Sequence, residues 1–588
     1  KKIYYDAQGR VAVEKTDTAE TRYTYDCFGN TSMVQKVNRS GNSQYTQYVY
    51  DNKNQLIRIY SGLHMPLKIS GPDSVSGADG DYSVIAYTYD FDGNKTSYTD
   101  ALGQTETYEY EKFTTNADST SVTDRMVKKT LRDGSEIFYS YDNNGNVLQV
   151  VANKEGKDTI TKEFTYNLSG SVLTEKTKRG DTVEYSAMYT YDDLNRCVRE
   201  ETIDHINENQ TYIKEYEYNG ENMLKFTLSE KTGADETVLL VTETYAYNQG
   251  GLLTNIAHTS YKNGKVALAI YVENYYDANG NLGMKITDMD QRTAYMNYYE
   301  YNLANQVTEM VNQKYVLSIY PQASNKEVYT YSADGNLTRK EVSLYTPQSH
   351  MQPEAVEIKK NYTNYTYDDL NRLTSEEYGV YTNGAFERQR KDTYTFDDSS
   401  NIKTKTHTDY VQTENGYTAG YTYDAANRLI GQTSGTDTYR YMYDAGGNLL
   451  KEQKQTDSDW QNQRAYTYDA LGRTESIAKS GVVTTFRYDA QDNRIQKTTG
   501  GTAITSVWNN GQIVYDLVEE TDKTFSREYA PDNSFSVVDH APVISAVNPQ
   551  GDVIEDLSGD SYAYDAYGNS VGALSESPYT YRGYYFDA

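Results

Sequence analysis

The chain has 588 residues, with 56 Lys and Arg against 84 Asp and Glu, a formal net charge of −28 and an isoelectric point near 4.7. Such an acidic surface repels phosphate backbones and anionic lipid, which argues against nucleic acid and membrane insertion. An apolar fraction of 37% and a mean hydropathy of −0.81 suit a disordered chain, but 63 Tyr beside 12 Phe and 2 Trp do not.

From the first residues onward one unit recurs, Tyr-x-Tyr-Asp-x-x-Gly-Asn-x-Leu. It reads YTYDCFGN at Tyr23–Asn30, YTYDFDGN at Tyr87–Asn94, YSYDNNGNVL at Tyr139–Leu148 and YTYDDLNRCV at Tyr189–Val198. Farther along it reads YYDANGNL at Tyr275–Leu282, YTYSADGNL at Tyr329–Leu337, YTYDDLNRL at Tyr365–Leu373 and YTYDAANRL at Tyr421–Leu429. YMYDAGGNLL at Tyr441–Leu450, YTYDALGR at Tyr466–Arg473 and SYAYDAYGNS at Ser561–Ser570 continue the series. Repeats spaced by about 20 to 40 residues define a repeat architecture.

Tyr-x-Tyr sets two rings on one face of a strand, because strand side chains alternate. The aspartate opens a turn and accepts backbone N–H bonds: Asp26, Asp90, Asp142, Asp192, Asp277, Asp368, Asp424, Asp444, Asp469 and Asp565. The residue three places on closes it in the left-handed region: Gly29, Gly93, Gly145, Asn195, Gly280, Asn371, Asn427, Gly447, Gly472 and Gly568. Degenerate copies hold to the same choice, with Asn54, Asn222, Asn305 and Asp492, and Ser400 as the exception. The first turn position drifts to Asn167, Asn219, Asn248, Asn302 and Ser332, which keep a side-chain oxygen and lose the charge, as a cap does and a catalytic acid does not. A second turn at Arg179-Gly180-Asp181 implies two strands per repeat. The expected fold is all-β, a continuous antiparallel sheet of hairpins spiralling into a hollow shell.

These residues resemble the YD-repeat, or Rhs, family, whose relatives include the C component of Tc toxin complexes and the shell of teneurins. The resemblance implies a β-sheet strip wound into a shell that, in bacterial members, encloses a C-terminal toxin. The stretch Pro578–Ala588, PYTYRGYYFDA, resembles the start of the Rhs-associated core through Tyr579, Tyr581, Arg582, Gly583, Tyr585 and Asp587. The expected division is a YD-repeat shell over 1–500, with the end of the shell and the beginning of the core region over 501–588. Ahead of the core, His540-Ala541-Pro542 stands where the family more often has Leu-Gly, which puts the local turn in question.

No enzymatic motif is expected. The six histidines are scattered without metal-ligand spacing, and Cys27 and Cys197 sit beside turns. The acid pairs Asp192-Asp193 and Asp368-Asp369 fall inside turns rather than across a cleft. Acidic Ser70–Asp81 and Thr346–Lys360 read as insertions in preference to calcium loops. The expected function is thus a structural shell with no catalytic residue, metal or cofactor. Its expected partners are a C-terminal toxin cargo of the same polypeptide and a delivery or secretion component, at a secreted or cell-surface location implied by the resemblance. An adhesion module binding glycans or protein is the alternative.

Overall fold

The computed structural model describes residues 2–583 apart from the short segments 17–18, 39–40, 42, 72–73, 77–81, 115–121, 232–235, 290–291, 316–322, 350–351, 383–384, 532–533, 557–561, 563 and 571–579. Among the described residues the regular structure is strand, with two single-turn 3-10 helices at Thr413–Asn415 and Tyr581–Gly583. Each strand pairs antiparallel with the next in sequence, as Ile160–Tyr166 does with Val172–Arg179, and that strand with Thr182–Tyr191. The ladder skips only a small ribbon, Lys68–Gly71 with Ser74–Ser76, so that Leu56–Leu63 pairs directly with Ser83–Tyr89. It runs unbroken through residue 500, where Arg494–Thr499 meets Thr502–Asn509. The sheet does not close: the first strand, Lys2–Tyr5, is paired only with Val11–Lys15 among the described residues.

The two flanks of this strip differ. One carries the Asp-x-x-Gly turns; the other carries mainly tight turns such as Gly180-Asp181, Asn263-Gly264 and Ser480-Gly481, with positive φ at Gly180, Asn263, Gly264, Ser480 and Gly481. Such turns match the right-handed twist of the strands they join. Register breaks fall one residue before the YD aspartate, between Thr24 and Tyr25, Thr190 and Tyr191, and Thr467 and Tyr468, as the extra residue of a bulge requires.

Three expectations need correction. Asn219 and Asn222 are not the ends of an Asp-x-x-Gly turn: they pair with each other across Gly220-Glu221, and the positive φ belongs to Gly220. Gly220-Glu221 forms the shorter, twist-matched two-residue turn instead, with glycine at its first position. Thr346–Lys360 is not a loose insertion, because Leu337–Ser349 and Gln352–Tyr367 pair as one long hairpin. Within Ser70–Asp81, residues 74–76 are strand and much of the remainder lies outside the described residues. His540 forms a tight turn with Asp539, both at positive φ, between Phe535–Val538 and Ala541–Val547.

The strip turns back beside itself. Residues in the first half bond to residues far along the chain: Gln44 to the Asp398 carbonyl, 354 positions on, Lys157 to Glu475, 318 on, and His258 to Glu528, 270 on. Nearer the C-terminus the return shortens to 160 positions, between Lys405 and Asp565. Each circuit therefore consumes less chain, and the coil tapers. Its largest apolar cluster lies where the passes meet, with Tyr212, Phe226, Leu228, Ile256 and Ile270 from the first pass against Val507, Val514, Phe535, Val537 and Ile544 from the second. Fully burying a side chain such as Leu228 or Ile270 contributes roughly 1.5–3 kcal/mol.

Candidate functional site: the repeat turn and the seam between passes

Each YD turn is held by its aspartate. Asp26 accepts the backbone N–H groups of Phe28 and Asn30 on one oxygen, at 2.9 and 2.8 Å, and the Asn30 side-chain amide on the other, at 2.9 Å. Asp90, Asp142, Asp277, Asp444 and Asp565 hold Asn94, Asn146, Asn281, Asn448 and Asn569 in the same way. At Asp192, Asp368, Asp424 and Asp469 the partner is an arginine, with Nε of Arg196, Arg372, Arg428 and Arg473 at 2.7, 2.7, 2.7 and 2.8 Å. The side-chain bond to Asn or Arg, joined by backbone N–H bonds, holds the Asp90, Asp142, Asp192 and Asp277 carboxyls below the usual carboxylate range.

The closing residue is at positive φ in every such turn named above: 94° at Gly29, 97° at Gly93, 96° at Gly145, 85° at Gly280, 92° at Gly447, 78° at Gly472 and 85° at Gly568. Asn195, Asn371 and Asn427 adopt 61°, 61° and 60°, and Ser400 is held at 68°. The same turn also forms at Asp100–Gly103 and Asn548–Gly551, copies that lack the Tyr-x-Tyr lead.

The turns also reach one another. Arg196 lies over the ring of Tyr218 in the next repeat, 4.9 Å from its centroid, and Arg473 over Tyr488 at 4.7 Å. At some copies where asparagine replaces arginine, its amide donates to the closing residue of the next turn, as Asn281 does to Asn305 at 3.1 Å and Asn30 to Asn54 at 3.2 Å. The second tyrosine of the unit has a fixed task. Its hydroxyl donates to a backbone carbonyl at the start of the preceding return strand: Tyr25 to Val11, Tyr166 to Val147, Tyr191 to Val172, Tyr301 to Leu282 and Tyr468 to Leu449, all at 2.7–2.9 Å. The YD unit is a hairpin device with a built-in link to its neighbour.

Between passes, the YD flank of the second meets the tight-turn flank of the first. Arg132 donates to the Gly446 carbonyl, Lys162 pairs with Asp492 at 2.7 Å, Arg487 with Asp204, and Lys157 and Arg179 both with Glu475. Asp469 and Asp565 are accordingly buried, while Leu168, Leu194 and Leu303 on first-pass turns are fully or largely exposed. Deeper in the seam, His258 lies between Glu243 at 3.1 Å and Glu528 at 3.0 Å, and Ser260 donates to Glu528 at 2.7 Å and lies 3.2 Å from His540. Burial alone would push the His258 pKa down; the two glutamates overcome it and carry it up to about 9. This convergence of histidines 282 positions apart in the sequence left no signal in their spacing. Among the described residues, no group of three or more His, Cys, Asp or Glu is disposed to hold a metal ion.

Of the core-motif residues, Tyr581 donates to the Ala566 carbonyl at 3.1 Å, and the Arg582 N–H donates to Asp552 at 2.9 Å. Gly583 closes the short helix, whereas Tyr579, Tyr585 and Asp587 lie outside the described residues.

The fold and its turns define a YD-repeat strip, and comparison with known proteins agrees. The family model for the RHS Repeat matches residues 468–504, the YD turn at Asp469 and the hairpins after it. The tRNA3(Ser)-specific nuclease WapA of Bacillus spizizenii is 27% identical over 233 residues, 36% of this chain and 9% of that protein. The tRNA nuclease WapA of Bacillus subtilis is 29% identical over 140 residues, 21% of this chain and 6% of that protein. The chain thus spans less than a tenth of the length of these curated relatives. A solved Photorhabdus luminescens Tc holotoxin pore carrying the mutation TccC3-D651A superposes with a TM-score of 0.52 at 14% identity, over 97% of this chain and 30% of that one. The resemblance to Rhs proteins is borne out: the chain carries an RHS repeat at residues 468–504 and shares its fold with part of the Tc holotoxin.

Proposed function

We propose that this strip is a container wall, the encapsulating shell of a toxin whose active domain belongs to the same polypeptide. The observation that carries the reading is the tapering return of the strip upon itself, from 354 residues per circuit to 160. A sheet wound in shrinking circuits, each seated on the flank of the last, encloses space rather than filling it. The wall performs no chemistry; its repeated groups are spent on turns and on the seam. A net charge of −28 favours a basic cargo, and nucleases, the activity named for the WapA relatives, are commonly basic. Such a protein works after secretion or at the cell surface.

Small-angle scattering and electron microscopy of the chain test the reading. A pair-distance distribution and particle images with a central void are expected. A solid particle without a lumen would overturn it.

A further inference from the structure

The seam contains a cleft of about 310 Å³ where the two passes meet, walled by Tyr189, Tyr212, Tyr216, Lys214, Gln491 and Trp508. We propose that this cleft binds a small organic cation, a guanidinium or ammonium group, held between its aromatic faces and the Asp489 carboxyl, with the Glu175 carboxyl behind Gln491 supplying a second negative charge.

The charges around the cleft motivate this. Nearly every acid of the surrounding seam has a basic partner: Glu200 has Lys214, Asp204 has Arg487, Glu475 has Lys157 and Arg179, and Asp492 has Lys162 and Arg473. Glu175 and Asp489, 1% and 4% exposed, form no ion pair among the described residues. Asp489 lines the cleft and caps its own turn, accepting the backbone N–H groups of Gln491 and Asn493 and the Asn493 side-chain amide, with no cationic group among these partners. Glu175 is bonded to Gln491 of its wall, and Gln491 lies 3.4 Å from the Tyr189 hydroxyl. The charge of Lys214 acts on Asp489 from a distance, but its ion pair is with Glu200 and it donates to the Trp508 carbonyl at 2.7 Å.

Two buried carboxyls without a counter-ion are costly to keep charged. Burial, with the negative charge of Asp489 added, pushes Glu175 up to about 8, and burial raises Asp489 as well. At neutral pH Glu175 therefore keeps its proton, occupying the place a cation's charge would fill. Two buried polar atoms are also unsatisfied, Oε1 of Glu175 and the hydroxyl of Tyr212, which lines the cleft and is 5% exposed. Tyrosine and tryptophan faces attract cations, and this protein uses that contact elsewhere, as with Arg440 over Trp460 at 4.3 Å. A neutral polyol could satisfy the hydroxyl but not the charge. When the cation enters, Glu175 releases its proton to solvent and the carboxylate takes the cation as its counter-ion.

Calorimetric titration of the whole chain at pH 7 tests this, with argininamide and glucose as probes, in two buffers of different ionisation enthalpy. Argininamide is expected to bind saturably with release of most of one proton, and glucose not to bind. Glu175→Gln should abolish the proton release and weaken binding about tenfold or more, a loss near 1.4 kcal/mol. Asp489→Asn should weaken binding with the sheet intact, because an asparagine, Asn167, already caps a turn of this kind. Absence of saturable argininamide binding up to about 20 mM, equal binding of glucose without proton release, or unchanged binding in both variants would each overturn the proposal.

Discussion

The hydroxyl of Tyr191 donates to the carbonyl oxygen of Val172 at 2.7 Å, tying one hairpin to the hairpin before it. The bond explains why the unit uses tyrosine rather than phenylalanine at its second aromatic position. Where tryptophan stands instead, at Trp508, the indole N–H takes over and donates to the Arg494 carbonyl at 2.9 Å. Tyr191→Phe should lower stability by about 1 kcal/mol, the net worth of one such bond, read as a shifted denaturant midpoint at constant slope. Phe396, at the same position, lacks the hydroxyl but already lies under Arg372 at 4.6 Å. Phe396→Tyr should therefore raise the midpoint; an unchanged or lower value would mean that the Leu373 carbonyl is out of reach.

The closing turn position predicts opposite signs for two similar substitutions. Ser400 is held at φ 68°, where a side chain is strained, so Ser400→Gly should stabilise the fold by about 1 kcal/mol. Gly145, at φ 96° with Arg125 packed against it, should lose at least as much on replacement by alanine. Thermal melts of the two variants side by side test the pair.

Acid should unravel the turn flank. The Asp90, Asp142, Asp192 and Asp277 carboxyls titrate lower folded than unfolded, so their contribution is present above the unfolded pKa near 4 and is lost as pH falls through the folded values. Because the cap recurs along the chain, unfolding followed by circular dichroism should be steep below about pH 4. Replacing several of these aspartates together with asparagine should flatten it.

The seam should weaken toward alkali instead. His258, raised to about 9, contributes stability that is full below about pH 6.5 and is lost as pH rises through 9. Glu175, raised to about 8, acts in the same direction between roughly pH 4.5 and 8, because the folded state holds the extra proton. Stability measured by urea titration from pH 6 to 9.5 should decline by an amount on the order of 2–3 kcal/mol from His258 alone. His258→Gln should be less stable at pH 6 and show a shallower decline; a slope identical to the parent would exclude His258 as its source.

Strand, turn and repeat were legible in the sequence because they are local: Asp142 and Asn146 are four positions apart, and positive φ restricts residue choice at Gly145 however far the rest drifts. Asn219 to Asn222 fits an Asp-x-x-Gly turn by spacing, yet Gly220-Glu221 alone makes the loop, and only strand pairing distinguishes the two. The seam was not legible. Glu175 meets Gln491 across 316 positions and His258 meets Glu528 across 270, separations set by the circumference of the coil rather than by any motif. The charge clusters there follow from which circuit lies beside which.

The taper carries a consequence for how the molecule comes to exist. Hairpins join neighbours in sequence and close quickly, whereas the seam joins residues 160 to 354 positions apart and must await the second circuit. The residues around His258 have no lining until Glu528 and Phe535 arrive. Each early circuit is therefore a scaffold on which the next is laid, and a chain emerging from its N-terminus forms the strip in the order that winding requires. The sequence of manufacture is written into the geometry, with the wide circuits made first and the narrow end last.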